Sequence, residues 1–587
     1  MNIKGGDFLI NKTTPSTVFI PENWNEEQIM LRNMIHNFLE KELHPLSEEP
    51  KATKDLDFII KMLEKSAELG LCGIAIESQY GGMDLDFNTG LLYTEAMARG
   101  FSFATTIGAH VSIGSLPIVY YGNEKQKQKY LPKIVTAELK TAYALTEPNA
   151  GSDANSGKTK AIIDKKNNQY LITGQKMWIT NAGFADIFIV FAKIEDDKNL
   201  SAFIVERNFK GITFGEEEKK LGIKGSSTRQ VFFNDCPVPM ENLLGERNSG
   251  FKIALNILNS GRIKLASGAV GGSKFALKKA VNYAIERKQF DKSICDFTAI
   301  QHKMGEMIRK IFASESAVYR IGGDIDQKES ELKNNNCPKN EIKLKALREF
   351  AIECALMKVY SSEVLDFCVD EALQIYGGMG YSTEAGVEMG YRDARITRIY
   401  EGTNEINRML AFGELIKRGF QTKELNLKSA GKKIPSTLLK RYFRIGKLTA
   451  ENVIQNYKYL FLILSKFAAD SFGLDLEHEQ EIIMNLSDIM GETYVAESVY
   501  LRVEKIKSQL GNSIDLEHKE NLKRLQLYEA NLKIVHCANT IVDSLPDAKN
   551  KLLRLYIRLL TPQPILNPTK IRRSLAKYII EKKDYPW

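Results

Sequence analysis

Three short stretches of this chain carry residues that could do chemistry. The segment Arg395-Ile-Thr-Arg-Ile-Tyr-Glu-Gly-Thr-Asn-Glu-Ile406 sets a glutamate, a glycine and a threonine at the mouth of a helix-rich region. Glu401 stands out, because a carboxylate moved out of water gains basicity. The segment Tyr143-Ala-Leu-Thr-Glu-Pro-Asn-Ala-Gly-Ser-Asp153 offers the hydroxyls of Thr146 and Ser152 and the amides of a glycine turn. Such groups can donate and accept hydrogen bonds to a bound molecule. The segment Gln175-Lys-Met-Trp-Ile-Thr-Asn181 adds an indole and a hydroxyl, Trp178 and Thr180. Taken singly, none of these is informative. Most glutamates are solvated, a tryptophan on a strand usually packs in a core, and Gly-Ser-Asp usually just turns. Their joint, ordered occurrence carries the weight.

The elements that must position them change texture along the chain. Residues 24–140 read as helical, with apolar residues at helical spacing in Glu26–Leu43 and similar patterns in Asp55–Leu69 and Asn88–Arg99. From 141 to about 250, short β-branched and aromatic runs such as Tyr170–Thr173, Ile187–Phe191, Ala202–Val205 and Val231–Phe233 predict a small β domain. Over 251–420 the spacing predicts four long helices, near 250–289, 298–333, 340–375 and 382–417, joined as an antiparallel bundle. Residues 428–435 read as a linker, and 436–587 as a further helical unit. The fold class is thus mainly α with a small β domain.

At 587 residues, 43% hydrophobic and 26% charged, the chain is expected to fold into several globular units. No run reads as long enough to cross a bilayer. The N-terminus has neither a secretory nor a transit pattern, so a cytoplasmic location is expected. Seven scattered cysteines without a Cys-x-x-Cys pair suggest reduced thiols and no zinc or other metal site. The net charge of +8 falls entirely in residues 421–587, which hold 27 Lys and Arg against 19 Asp and Glu. That excess reads as a solvated helical surface; a basic tail can also meet an anionic membrane from the inner face. Nucleic acid is not an expected partner. The run Lys458–Leu464 could lie on a membrane but reads better as the core of a helical unit.

The three stretches together resemble the acyl-CoA dehydrogenase family over residues 25–420, and the long C-terminal extension resembles its very-long-chain branch. The resemblance implies the family fold: a helical domain, a middle β domain and a four-helix bundle. It implies FAD, bound without a Gly-x-Gly-x-x-Gly or phosphate loop, neither of which is present. On the β side the cofactor residues would be Tyr143, Leu145, Thr146, Gly151, Ser152, Trp178, Ile179 and Thr180. On the helical side they would be Arg287, Phe290, Gln374, Gly377, Gly378, Thr403 and Glu405, with the glycine turn reaching a neighbouring subunit's cofactor. An arginine fork suits a pyrophosphate. One departure is visible: Asp291 follows Phe290 where the family has glycine.

By the same resemblance Glu401 is the base that takes the α-proton of a fatty acyl thioester while a hydride leaves the β-carbon, with Arg262 beside it. The Glu401 N–H would hold the thioester oxygen. Substrate would be met by Ser152, Asn259, Arg262, Tyr400 and Gly402, and its far end by Gly108 and Ala109 in Ile107–Gly114, whose small side chains leave room for a long tail. His110, in that same stretch, reads as a packed or capping residue. The implied activity is FAD-dependent dehydrogenation of long- or very-long-chain acyl-CoA in β-oxidation, with electrons passed to electron-transfer flavoprotein by a homodimer. Two rivals share the features: an acyl-CoA oxidase that uses oxygen, and a scaffold or assembly factor on the same fold.

Overall fold

The computed structural model describes residues 3–43, 55–443, 445–446, 448–510, 514–546 and 550–587. An N-terminal arm leads to α1 (Glu26–Glu42), which opens on a capping box: Gln28 N–H donates to Asn25 Oδ1 at 2.9 Å, and Asn25 N–H donates to Gln28 Oε1 at 3.0 Å. Next come α2 (Leu56–Glu68) and α3 (Phe87–Met97), the latter capped by Asp86. Then α4 (Ser102–Gly108), a π-helical turn over Ala109–Gly114 and α5 (Leu116–Tyr121) follow one another, before α6 (Glu124–Val135). The stretch Ser102–Tyr121 is as long and apolar as a membrane span, which corrects the expectation that no such run exists. It is mostly buried, because it serves as an internal wall. His110 in the π turn is buried and accepts the Thr141 N–H on Nδ1 at 3.2 Å, with Nε2 on the Ile134 carbonyl at 3.1 Å. Burial pushes its pKa down to about 4, so it is a neutral packing residue.

The middle unit has eight strands: β1 (Thr141–Ala144), β2 (Lys160–Asp164), β3 (Gln169–Thr180), β4 (Ile187–Ile194), β5 (Ser201–Glu206), β6 (Ile212–Phe214), β7 (Thr228–Pro239) and β8 (Leu243–Leu244). They run β6-β7-β3-β2-β4-β5-β8, with β1 parallel to β4. β4 is buried along nearly its whole length, which explains its continuous rather than alternating apolar run.

The helical bundle starts with α7 (Gly250–Glu286), a hairpin of β9 (Lys288–Gln289) and β10 (Lys292–Ser293), and α8 (Thr298–Asn334). Phe290 and Asp291, between the two short strands, have φ of 52° and 60°. That is the backbone of a two-residue hairpin turn, and aspartate tolerates it, so the departure from glycine at 291 does not break the turn. The remaining two predicted long helices are interrupted. The first divides at Phe350 into α9 (Lys339–Glu349) and α10 (Ala351–Tyr376). The second is replaced by α11 (Gly378–Tyr381), α12 (Val387–Ala394), a loop and α13 (Asn404–Ile416). Left-handed backbone at Gly386, Glu401 and Gly402 forbids a continuous helix there.

Residues 428–435 are not a linker: α14 (Leu427–Gly431) and α15 (Ile434–Tyr442) nearly abut. Pro435 sits in the first turn of α15, where its missing N–H costs nothing. The chain ends in α16 (Ala450–Phe472), α17 (Gln480–Leu510), α18 (Ile514–Ser544), α19 (Asn550–Leu560) and α20 (Pro568–Lys582). Leu460, Phe461 and Leu464 are buried, so the run 458–464 is core, not a membrane face.

One continuous apolar core joins the arm (Phe8, Leu9), the bundle and the C-terminal helices. At its edge lies a buried ion network. Arg502 Nη1 meets Glu315 Oε2 at 2.6 Å and Arg502 Nε meets Glu22 Oε2 at 2.9 Å. Lys274 pairs with both Glu315 and Glu95, and Tyr585 donates to Glu315. Although burial pushes the Glu315 carboxyl up, Lys274 and Arg502 hold it down to about 2. Arg502→Met would take the shared cation from Glu22 and Glu315 and leave them only Lys519 and Lys274 respectively, so it should cost about 3–5 kcal/mol in urea unfolding. A loss below ~1 kcal/mol would show that the network does not fasten the extension.

Candidate active site

The loop between α12 and α13 is held by its backbone. Glu401 sits at φ 58° and Gly402 at φ 81°. Arg262 Nε donates to the Glu401 carbonyl at 3.2 Å. Asn407 Nδ2 donates to the carbonyls of Glu401, Gly402 and Thr403 at 3.3, 2.8 and 3.0 Å. Lys358 Nζ donates to the Gly402 carbonyl at 2.7 Å and to Asn404 Oδ1 at 2.9 Å. Thr403 caps α13 by accepting the Ile406 N–H. A non-glycine residue with positive φ carries strain of about 1–3 kcal/mol, and these donors offset it.

The carboxyl group, by contrast, is left alone. Glu401 Oε2 is buried and has no hydrogen-bond partner among the described residues. The group lies against Gly261 of α7, where an added Cβ would stand 2.6 Å from Oε2. Burial pushes its pKa up to about 7, against the opposing pull of Arg262 and Lys358. Burial likewise lowers the Lys358 ammonium to about 8. The Tyr143 hydroxyl is buried without a partner, and its pKa is raised by burial and then by the Glu401 charge.

Glu401 and Tyr400 border a cavity of about 1380 Å³ that Gly108, Ala109, Gly261 and Thr180 also line. A Cβ on Gly108 would meet nothing within 4 Å, so the wall there is open. Arg262 and Asn259 do not line it. Arg262 Nη1 donates to Asn259 Oδ1 at 2.6 Å, and the pair acts on the loop backbone from behind.

The β domain lends Thr180 to the cavity wall and presents Trp178 two residues before it on the same strand. The β3–β7 register shifts between Lys176 and Ile179, and Trp178 takes φ 56°. A bulge of this kind re-aims a side chain, and the indole is 61% exposed on an otherwise packed strand. The two β motifs are fastened together. Met177 N–H donates to the Thr146 carbonyl at 2.9 Å. Lys176, wholly buried, pairs with Glu147 at 2.7 Å and donates to the Leu145 carbonyl at 3.2 Å. Leu145 and Ile179 are buried behind this face, while Gly151 and Ser152 are exposed in the following turn with open space around Gly151. An exposed indole, a free turn and nearby hydroxyls fit the flat, polar-edged ring of a flavin.

Arg287, Phe290, Gln374, Gly377 and Gly378 are exposed where α7 and α10 end side by side, next to Tyr283, Glu286 and Tyr376, which also line the cavity. Tyr283 stacks on Tyr376 there at 3.9 Å between ring centres. Nothing within 4 Å would oppose a Cβ on Gly377 or Gly378, and Phe290 is 86% exposed. Within one chain these five residues flank the cavity without lining it, and Glu405 is exposed on the first turn of α13. The motifs gave no warning of Lys358, Asn407 or Gly261. The available signal was a lysine inside the apolar run of α10 and an asparagine four residues beyond an N-cap. Gly261→Ala should push the Glu401 carboxyl aside and slow any reaction that uses this carboxyl as its base by at least about tenfold at unchanged fold, a displacement being enough for such losses. Stopped-flow bleaching of the cofactor by an acyl thioester at the wild-type rate would contradict that packing.

Comparison with known proteins agrees with this geometry. Models of the acyl-CoA dehydrogenase N-terminal, middle and C-terminal domains match residues 25–138, 142–236 and 248–414, and a further acyl-CoA dehydrogenase C-terminal domain matches 456–558. A Bacillus subtilis (strain 168) protein described as "Probable acyl-CoA dehydrogenase" is 39% identical, covering 99% of this chain and 98% of its own. The human mitochondrial very long-chain specific acyl-CoA dehydrogenase is 36% identical, over 73% of this chain and 66% of its own. A crystal structure of an acyl-CoA dehydrogenase complexed with FAD from Bacillus anthracis superposes with a TM-score of 0.95 at 39% identity, covering all of both chains. The chain belongs to the acyl-CoA dehydrogenase family, with its N-terminal, middle and C-terminal domains, its additional C-terminal domain and its dependence on FAD.

Proposed function

We propose that this enzyme removes the α-proton and a β-hydrogen from long-chain fatty acyl-CoA, as the first oxidation of a β-oxidation cycle, with Glu401 as the base. The observation that carries this is the buried, unpartnered Glu401 oxygen facing a long cavity. A carboxylate with a pKa near 7 is ionised enough at neutral pH to act and basic enough to take a weakly acidic proton. The Glu401 N–H has no partner among the described residues and can take the thioester oxygen, where negative charge grows. Arg262 and Lys358 lie close enough to favour the ionised base without bonding its oxygens. FAD, when bound, supplies the two-electron acceptor for the β-hydrogen. Trp178, Thr180 and Thr146 would hold its ring, and the bulged strand keeps the indole turned out for that purpose.

A long chain is favoured by the reach of the cavity, past Gly108 and Ala109 to Tyr120 on α5. Electron-transfer flavoprotein is the proposed acceptor; an oxidase would release peroxide in air with the same substrates. The retained Glu401, Arg262, Trp178 and Thr180 speak against a purely structural assembly role. A homodimer would give Arg287, Phe290 and the Gly377–Gly378 turn a partner, since all are exposed at one end of the bundle. A cytoplasmic location at the inner membrane face is proposed from another feature. α15 and the residues after it expose Leu439, Tyr442, Phe443 and Ile445 beside Lys440 and Arg441, a basic amphipathic surface.

Glu401→Gln keeps shape but cannot accept the α-proton. Reduction of bound FAD by acyl-CoA should fall by several orders of magnitude, roughly as for loss of other essential bases. Bleaching at the wild-type rate would remove Glu401 from this role. Ala109→Phe should fill the wall and lower kcat/KM for long chains by about tenfold more than for medium ones, overpacking costing about 1–3 kcal/mol. Equal losses at all lengths would show that residues 107–114 do not border the acyl tail.

A further inference from the structure

The cavity wall holds a cation that proton abstraction does not use. Lys264 lies one helical turn beyond Gly261 on α7, and its side chain lines the cavity. Its ammonium reaches the Ser112 hydroxyl at 3.4 Å, a long and weak contact. Among the described residues no carboxylate pairs with it. Lys343, the charged group that acts on it, is another cation, already paired with Asp84 at 2.9 Å. Glu329, on the same wall, has its carboxyl pushed up by burial and by Asp84 and Asp86, against the pull of Lys343 and Lys333, and it bears on Tyr120. The Tyr120 hydroxyl also lines this end and makes no hydrogen bond among the described residues. Ser112 is one turn beyond Gly108 along the same wall, so this polar group lies past the residues that admit the acyl chain.

Such a lysine is costly to keep. Burial lowers its pKa to about 8, which still leaves it mostly charged at neutral pH. A methyl-ended chain threaded past it would strip its remaining water and leave a bare ammonium against hydrocarbon. A chain ending in a carboxylate would instead bring the missing counter-ion, with Tyr120 and Ser112 as further donors. We propose that Lys264, Ser112 and Tyr120 form a subsite for a terminal carboxylate, so that thioesters of α,ω-dicarboxylic acids are preferred over methyl-ended chains at the length that reaches Lys264. The proposal rests on the reading of this cavity as the acyl channel.

The test uses the FAD-loaded full chain and two ladders of CoA thioesters, one from straight-chain dicarboxylic acids and one from fatty acids of matched length. The readout is the ratio of kcat/KM between the two members at each length, which cancels a general loss of active protein. In the wild type the ratio should peak at one length. Lys264→Met should lower that peak by about tenfold or more, the worth of a charge-assisted contact, while Lys264→Arg should retain most of it. Tyr120→Phe should lower it less, and provides a second arm if Lys264→Met folds poorly. A wild-type ratio with no peak, or a peak that Lys264→Met and Tyr120→Phe both leave unmoved, would overturn the subsite while leaving the dehydrogenase reading intact. A protein reduced by neither ladder would overturn both.

Discussion

A carboxylate that is to serve as a strong base must be kept dry and unpaired, and a folded protein resists both conditions. Water or a hydrogen-bond donor at the oxygens would lower the basicity, while an isolated buried charge is costly. This chain meets the conflict by gripping Glu401 through its carbonyl. Arg262 and Asn407 take that carbonyl, and Lys358 and Asn407 take the next one, so left-handed backbone at two consecutive residues is over-determined. Two cations thereby come near the carboxyl without bonding it. Their pull and the larger effect of burial settle at a pKa of about 7. Gly261 completes the arrangement, because any side chain there would occupy the carboxyl's own space.

The remaining architecture supplies rigid walls for that group. Arg262 and Gly261 belong to α7, Lys358 to α10 and Asn407 to α13, so the base is fixed where three helices meet. The β domain adds Thr180 to those walls and, just before it, a bulge that turns Trp178 outward, anchored by the buried Lys176–Glu147 pair. Farther out, the Glu22–Arg502–Glu315–Lys274–Glu95 network ties the arm, the N-terminal helices, the bundle and the C-terminal extension to one another. The extension is therefore part of the same core as the helices that carry the site, and not an appended unit.

Much of this was legible in the sequence where local pattern and function coincide. The strand runs, the helical periodicity and the Glu401, Trp178 and Thr146 motifs lie where the fold needs them. The illegible parts depend on tertiary contacts. Nothing local marks Gly261 as the floor beneath a carboxyl, or Lys358 and Asn407 as clamps, since their partners are carbonyls far away in the chain. The expected helix over 382–417 failed because the site itself demands the break at Glu401 and Gly402. The apolar Ser102–Tyr121 does not stand out as a span in the sequence because small residues dilute it, among them Gly108 and Ala109, which line the cavity. The basic excess of the last 167 residues was read as surface, yet Arg502, Lys458, Lys519 and Arg572 are buried in ion pairs, which composition does not reveal.

The central claim is that Glu401 is held desolvated, and its own titration tests this most directly. Infrared difference spectra across pH, wild type minus Glu401→Gln, isolate the carboxyl stretch of this one residue. The account predicts a protonated band that persists well above the ordinary glutamate range and disappears with a midpoint near pH 7, because burial raises the pKa and the group is a base only above it. A midpoint near the ordinary glutamate value of about 4.3 would mean that water or a donor reaches the oxygens, and the account of the base would be wrong.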